Sequence, residues 1–580
     1  MSSSEDPPLI RIESDEEEGN EPGACSEHYL VNVEPMKDLD DDSGVRRDKS
    51  QSINGMLPAQ LSSSRRSSTI KQIKKEVRKQ RASSSLAGTL RTRDSFASSD
   101  EAGANSSASN NVSETDSDCD GQPQDIAGPS GVLLSTATNT IAESFERLKT
   151  ERTDSFISET DSELEFVQSD EWKYKRKHIF VLSQSGKPIY SRYGNEEKLV
   201  TLYGVMQALV SFLTHSQQKD TLKTIIAGDR KFVFLIKEHL ILVAVSSGEE
   251  CPRHLLLQLN YVYNQILSVL TLTSLNKIYR DRVNFDLRRM LAGTEKFIDN
   301  LLTVMDTDTS YILGSVQCLR LLGSVRDTIT QTLQQSCSKV KDLVFAIVIS
   351  HNQLVALVRM KKFCLHPQDL HILLNMVQSS DSFKNAETWL PVCLPKFDNS
   401  GFLYSYVSYL DEKCNTCLLL LTVDSEQFSI LSECKDKIVE RLNKHSCLQA
   451  IAESLATNGY NTQQVGLPEL WHFVYKSRST AQFTSPEISI PYVTPEQRDR
   501  LHSLYLNVHG RMHSTARPLR ILYETTEYEA ILGWVTKAFE LYSVFSPLIT
   551  KQAAISSVNK LLSWLKKEDS RLFINSQTTF

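Results

Sequence analysis

The chain has 580 residues, 40% hydrophobic and 23% charged, a soluble globular composition long enough for three to four domains of about 100–200 residues. Its net charge of −7 joins two unlike parts. Residues 1–170 carry 18 Lys and Arg against 33 Asp and Glu (−15), and residues 171–580 carry 46 against 38 (+8). No apolar run reaches the roughly 18 residues that cross a bilayer. The start lacks the basic and apolar regions of a signal peptide. Eleven scattered cysteines fit reduced, buried thiols in the cytosol better than a disulfide framework.

Residues 1–170 hold 31 serines and only five of the 46 aromatic residues. So little apolar surface cannot offset chain entropy, so a disordered acidic tail is expected. Inside it lies a basic block with Lys71, Lys74, Lys75, Arg78 and Lys79, where Ile70, Ile73 and Val77 fall at helical spacing. Two readings stay open: a membrane-surface or partner-docking regulatory helix, with those five cations facing anionic lipid, or a solvated stretch. The phrase Ser-Glu-Thr-Asp-Ser occurs at 113–117 and 158–162, and Ser67 and Ser68 follow Arg65-Arg66. These are candidate phosphorylation sites, where added negative charge would alter docking.

From about residue 172 the pattern becomes alternating strands and amphipathic helices. Lys177–Ser183, a turn at 184–187 and Pro188–Arg192 predict a hairpin. Asn195–Phe212 follows as a helix with Leu199, Leu202, Val205, Met206, Leu209 and Phe212 on one face. Strands Leu222–Ala227, Lys231–Ile236 and Leu240–Ser246 and a helix Pro252–Leu272 complete the order β-β-α-β-β-β-α. The order recurs from Asp342 to Lys444, and again from Trp471 to Lys567. Helices over Asn284–Leu302 and Gly314–Gln334 are expected to bridge the first two passes. Three passes of one topology predict an α+β protein, each unit a five-stranded antiparallel sheet faced by helices.

Catalytic signatures are missing. There is no phosphate-binding G-x-x-x-x-G-K-[ST] loop, no G-x-S-x-G elbow and no kinase motif set. Cys414-x-x-Cys417 lacks a second pair, so a structural role is expected and no metal. His509 and His513 have the i, i+4 spacing of a helical metal pair. No Glu lies between them and a helix end is near, so no metal is expected there either. Trp471 and Trp534 fit core positions. The +8 of the body is spread out, which does not suit nucleic-acid binding.

The segment KHIFVLSQSGKPIYSRYG (Lys177–Gly194) resembles the opening of the SAND/Mon family of vacuolar and endosomal fusion proteins. The resemblance continues through GVMQALVSF (Gly204–Phe212), NFDLRRMLAG (Asn284–Gly293), HNQLVALVR (His351–Arg359), PVCLPKF (Pro391–Phe397), FTSPEI (Phe483–Ile488), RPLRILYET (Arg517–Thr525) and RLFI (Arg571–Ile574). It implies three longin domains, placed at 172–305, 306–458 and 459–580 after a disordered tail of 1–171. It also implies a cytoplasmic protein, recruited peripherally to endosome and lysosome or vacuole membranes. Such a protein pairs with a Ccz-type tri-longin partner as the exchange factor for the late-endosomal (Rab-seven type) GTPase. The early-endosomal (Rab-five type) GTPase, phosphatidylinositol 3-phosphate membranes and a scaffold third subunit are the further partners implied. No cofactor and no covalent chemistry are implied. An adaptor or tether without exchange activity is the alternative. The expected GTPase or partner interface is the first helix and its preceding hairpin, with Lys187, Arg192, Tyr193, Glu197, Lys198 and Tyr203 as exposed candidates. Removal of residues 1–170 is expected to spare exchange in solution.

Overall fold

The computed structural model describes residues 170–215, 222–457, 459–576 and 578–580. The expected disordered tail, its candidate regulatory cations Lys71, Lys74, Lys75, Arg78 and Lys79, and its serine phrases lie outside the described residues.

The first sheet is built from β1 (Lys177–Ser183), β2 (Pro188–Ser191), β3 (Thr224–Ala227), β4 (Arg230–Ile236) and β5 (Leu240–Ser246), in the spatial order β2-β1-β5-β4-β3. A short linker strand, β6 (Val316–Gln317), precedes the second sheet. That sheet comprises β7 (Leu343–Ser350), β8 (Gln353–Arg359), β9 (Thr388–Leu394), β10 (Asp398–Tyr409) and β11 (Thr416–Thr422), ordered β8-β7-β11-β10-β9. The third repeats the same order with β12 (Leu470–Ser477), β13 (Gln482–Thr484), β14 (Ile521–Thr525), β15 (Ala530–Val535) and β16 (Phe539–Phe545). The expected threefold β-β-α-β-β-β-α arrangement is present.

Each central strand is buried on both faces, so its sequence is a continuous apolar run rather than an alternation. In β5, Leu240, Leu242 and Ala244 pack toward the helix Pro252–Leu270, whereas Ile241, Val243 and Val245 pack toward the helix Val200–His215. In β11, Cys417, Leu419 and Leu421 serve one core, and Leu418 and Leu420 the other. Each fully buried side chain of this size contributes about 1.5–3 kcal/mol.

Several expected helices are shorter or split. The first starts at Val200 instead of Asn195. Ahead of it the Asn195 side chain accepts the Glu197 N–H, which favours a turn. Asn284–Leu302 is two helices, Arg288–Leu291 and Glu295–Met305, parted at Gly293, whose φ of 81° a side chain would resist. Residues 314–322 are not helical. There β6 runs parallel to β13, and Cys318 bridges to Leu354, so this linker is stitched to sheets three and two before its helix (Gly323–Cys337) begins. A last strand, β17 (Thr578–Thr579), adds to the edge of sheet two beside β8. No helix among the described residues is long and apolar enough to cross a membrane.

Candidate interface on the first unit

Two opposite edges frame the first sheet. At the β2 edge the hairpin is clamped to the back of its own unit. Lys177, 6% exposed, places Nζ 2.7 Å from Glu250 Oε1 and 2.6 Å from Asp306 Oδ1. Arg192 closes the set with 2.6 Å to Asp306 Oδ2. Two cations and two carboxylates thus form one compact network. Burial alone would raise both carboxyls. For Asp306, the Lys177 and Arg192 charges outweigh it and hold the group below the usual carboxylate range. Lys177 does the same for Glu250. The Tyr190 hydroxyl adds a 2.5 Å bond to Asp299 Oδ1. The amino-terminal lead is fixed too: Trp172, fully buried, donates Nε1–H to the Tyr193 carbonyl at 3.1 Å and lies against the His178 ring.

Among the described residues, β3 has no further strand on its outer edge. Ile226 is 70% exposed on it. On the other face of the sheet from Ile226, the helix Val200–His215 is apolar nearly all round. Its inner stripe of Leu202, Tyr203, Met206, Leu209 and Val210 is buried. Its outer side carries Val200, Gly204, Ala208 and Phe212 at steps of four, all exposed. A Cβ at Gly204 would meet nothing within 4 Å, so this glycine fills no space inside the chain itself. A helix apolar on both sides but covered on one leaves a face suited to another surface.

The six candidate residues divide accordingly. Lys187 and Glu197 are exposed; Lys187 Nζ reaches the Asn284 carbonyl at 2.6 Å, and Glu197 pairs with Arg288 at 3.3 Å. Lys198 is half-buried. Tyr193 is half-buried too, its ring faced by Arg192 at 5.2 Å and Lys175 at 5.5 Å. Two expectations are corrected. Tyr203 is wholly buried, because the helix phase turns it inward, where its hydroxyl donates to the Tyr190 carbonyl at 2.7 Å. The Arg192 side chain is only 9% exposed, drawn in by Asp306. Phe212, expected in the core, is 45% exposed. The outer stripe is legible as a second i, i+4 series beside the first, so the helix has two apolar faces where one was expected.

The other singled-out residues also have places. Cys417 is buried, and Cys414 sits at a turn with φ 54°; both are free thiols. Trp534 is buried and Trp471 packs against the third unit's core. His509 and His513 lie at the end of the helix Pro495–Met512, where the fold brings Glu540 of β16 beside them. Nothing in the local sequence linked Glu540 to that pair.

Family models of the first, second and third longin domains of FUZ, MON1 and HPS1 match residues 177–301, 341–440 and 469–569. The chain is 49% identical over 429 residues to Vacuolar fusion protein MON1 homolog A of Gallus gallus, covering 74% of this chain and 77% of that protein. It is 47% identical over 436 residues to Protein SAND of Takifugu rubripes (75% and 83% covered). To Vacuolar fusion protein MON1 homolog B of Homo sapiens it is 41% identical over 425 residues (70% and 77%).

Proposed function

The chain belongs to the MON1 family of three-longin proteins, and on that footing we propose that it acts in vacuolar fusion as one subunit of a guanine-nucleotide exchange factor. Its substrate is the late-endosomal (Rab-seven type) GTPase and its co-subunit a Ccz-type tri-longin protein. Recruitment is through the early-endosomal (Rab-five type) GTPase and phosphatidylinositol 3-phosphate membranes, with a scaffold third subunit.

The observation that carries this reading is the exposed apolar helix face of the first unit, formed by Val200, Gly204, Ala208 and Phe212. Exchange needs no acid, base or nucleophile. It needs a surface that binds the empty GTPase more tightly than the loaded one. By linkage, that preference weakens nucleotide binding by the same factor. Moving a GTPase from almost all loaded to almost all empty takes a differential of about 5 kcal/mol. An exposed apolar helix face is a suitable source of that energy, and two such units side by side give a composite platform.

The test is release of fluorescent GDP from the late-endosomal GTPase by the purified pair. Acceleration by the pair and little by this chain alone is the expected result. Binding of the loaded GTPase with no faster release makes the protein an adaptor or tether. No effect of the pair on release overturns the reading.

A further inference from the structure

Among the described residues, one group of His, Cys, Asp and Glu side chains converges closely enough to hold a metal ion: His509, His513 and Glu540, with one ligand atom from each within 4.8 Å of the others. It lies on the third unit, at its seam with the first and away from the interface described above. His509 and His513 are one turn apart at the end of the helix Pro495–Met512, and Glu540 projects from β16. His509 and Glu540 are buried, and His513 is partly open. The three border a cleft of about 410 Å³ whose walls come from the first unit (Arg253, Asn260), the third (Lys476, Arg478) and Leu313 of the linker.

One ligand atom of each residue faces the cluster, and those of His513 and Glu540 bond there to each other and to the Tyr542 hydroxyl, contacts that a bound ion would replace. His509 Nδ1 is engaged by His254 Nε2 of the first unit at 2.9 Å, which leaves Nε2. Glu540 Oε1 takes Lys476 at 3.1 Å and Arg478 at 3.6 Å. Its other oxygen, Oε2, is 3.2 Å from His513 Nε2 and 3.3 Å from the Tyr542 hydroxyl. The separation of His513 Nε2 and Glu540 Oε2 is close to that of two ligands on a tetrahedral zinc, about 3.4 Å for bonds of about 2.1 Å. His513 is the residue that ends the helix, so it has room to close on an ion. The end of a helix also presents carbonyls that favour positive charge. His254 stands where a partner that fixes a ligating imidazole stands.

We propose that His509, His513 and Glu540 bind a divalent transition-metal ion of the zinc class. Two imidazoles and a carboxylate suit that class, and they leave a fourth position facing the cleft. Through His254 the ion ties the third unit to the helix Pro252–Leu270 of the first. Arg253, which donates to the His513 carbonyl, Lys476 and Arg478 crowd the site with positive charge, so the affinity is expected to be lower than that of an all-cysteine structural site.

The experiment uses the untagged full-length chain, stripped with chelator and titrated with cobalt(II), then zinc. The expected result is a visible tetrahedral cobalt band that saturates at one equivalent and is abolished by zinc. His513→Asn, at a partly open position, and Glu540→Gln, which keeps its shape, are each expected to weaken cobalt binding at least tenfold. His445→Asn, exposed on the second unit, is expected to titrate like the parent. No saturable cobalt band in the parent, or parental titration of His513→Asn with its circular dichroism unchanged, overturns the proposal.

Discussion

Arg192 and Asp306 meet at 2.6 Å across 114 residues of chain, and that contact joins the β1–β2 hairpin to the helical back of the first unit. Asp306 is shared with Lys177, so removing Asp306 strands the buried Arg192, whereas removing Arg192 leaves Asp306 paired with Lys177. Asp306→Ala, which leaves a buried guanidinium unpaired, is expected to lower stability by about 3 kcal/mol, and Arg192→Ala by about 1–2 kcal/mol. Chemical denaturation of the parent and the two variants measures this. A loss below about 1 kcal/mol for both would show that the network is solvated.

Ala208 and Tyr203 lie five positions apart on one helix with opposite exposure. Ala208→Asp adds a charge to the outward stripe, so the fold is expected to keep its stability within about 0.5 kcal/mol, while GDP release by the pair falls at least tenfold. Tyr203→Phe removes the donor from the Tyr190 carbonyl and is expected to cost about 1–3 kcal/mol with exchange unchanged. Denaturation and release assays on both variants separate surface from core. Normal release by Ala208→Asp would remove the stripe from the interface.

Three histidines make the fold acid-sensitive. Burial is the main cause in each of His178, His371 and His472, and each is pushed down to about 4 from 6.5. Between pH 6.5 and 4 the unfolded chain therefore binds more protons than the folded one. Stability is fully present above pH 6.5 and declines as the pH falls toward 4, by about 3 kcal/mol for each histidine. Denaturation at pH 7 and pH 5 should show the fall. His472→Gln should reduce the proton uptake on unfolding by nearly one at pH 5. His472 is held by the Tyr505 hydroxyl at 2.7 Å and the Pro486 carbonyl at 3.2 Å.

The acidic segment is expected to act on recruitment and not on exchange itself. A chain cut after residue 169, which keeps the helix that seats Trp172, should release GDP in solution at the parental rate and differ on phosphoinositide-bearing liposomes. Loss of release in solution would place the segment in the exchange machinery.

Strands were the most legible feature of the sequence. β1 and β5 fall on the residues expected from their apolar runs, because a strand buried on both faces declares itself locally and turns bound it sharply. The linker was not legible. Residues 314–322 suit a helix by composition, yet their partners, Gln482, Phe483 and Leu354, are distant in sequence and extend the chain instead. Arg326 shows the same limit. It is buried and donates to the carbonyls of Leu319, Val355 and Arg571, three acceptors that no local pattern joins. The exposure of the charged candidates was not legible either, since it depends on long-range partners such as Asp306 for Arg192.

The two added strands impose an order on synthesis. Sheet three borrows β6 from a linker translated about 150 residues earlier, whereas sheet two receives β17 only after the whole third unit has been made. On the ribosome the first unit has all its strands by residue 246, but in the second the Val358–Arg359 end of the β8 edge, beyond the Cys318–Leu354 bridge, waits for Thr578 and Thr579. An uncovered edge is a template for wrong pairing. That end of the second unit is therefore a part of the nascent chain that benefits from protection until the third unit has been made.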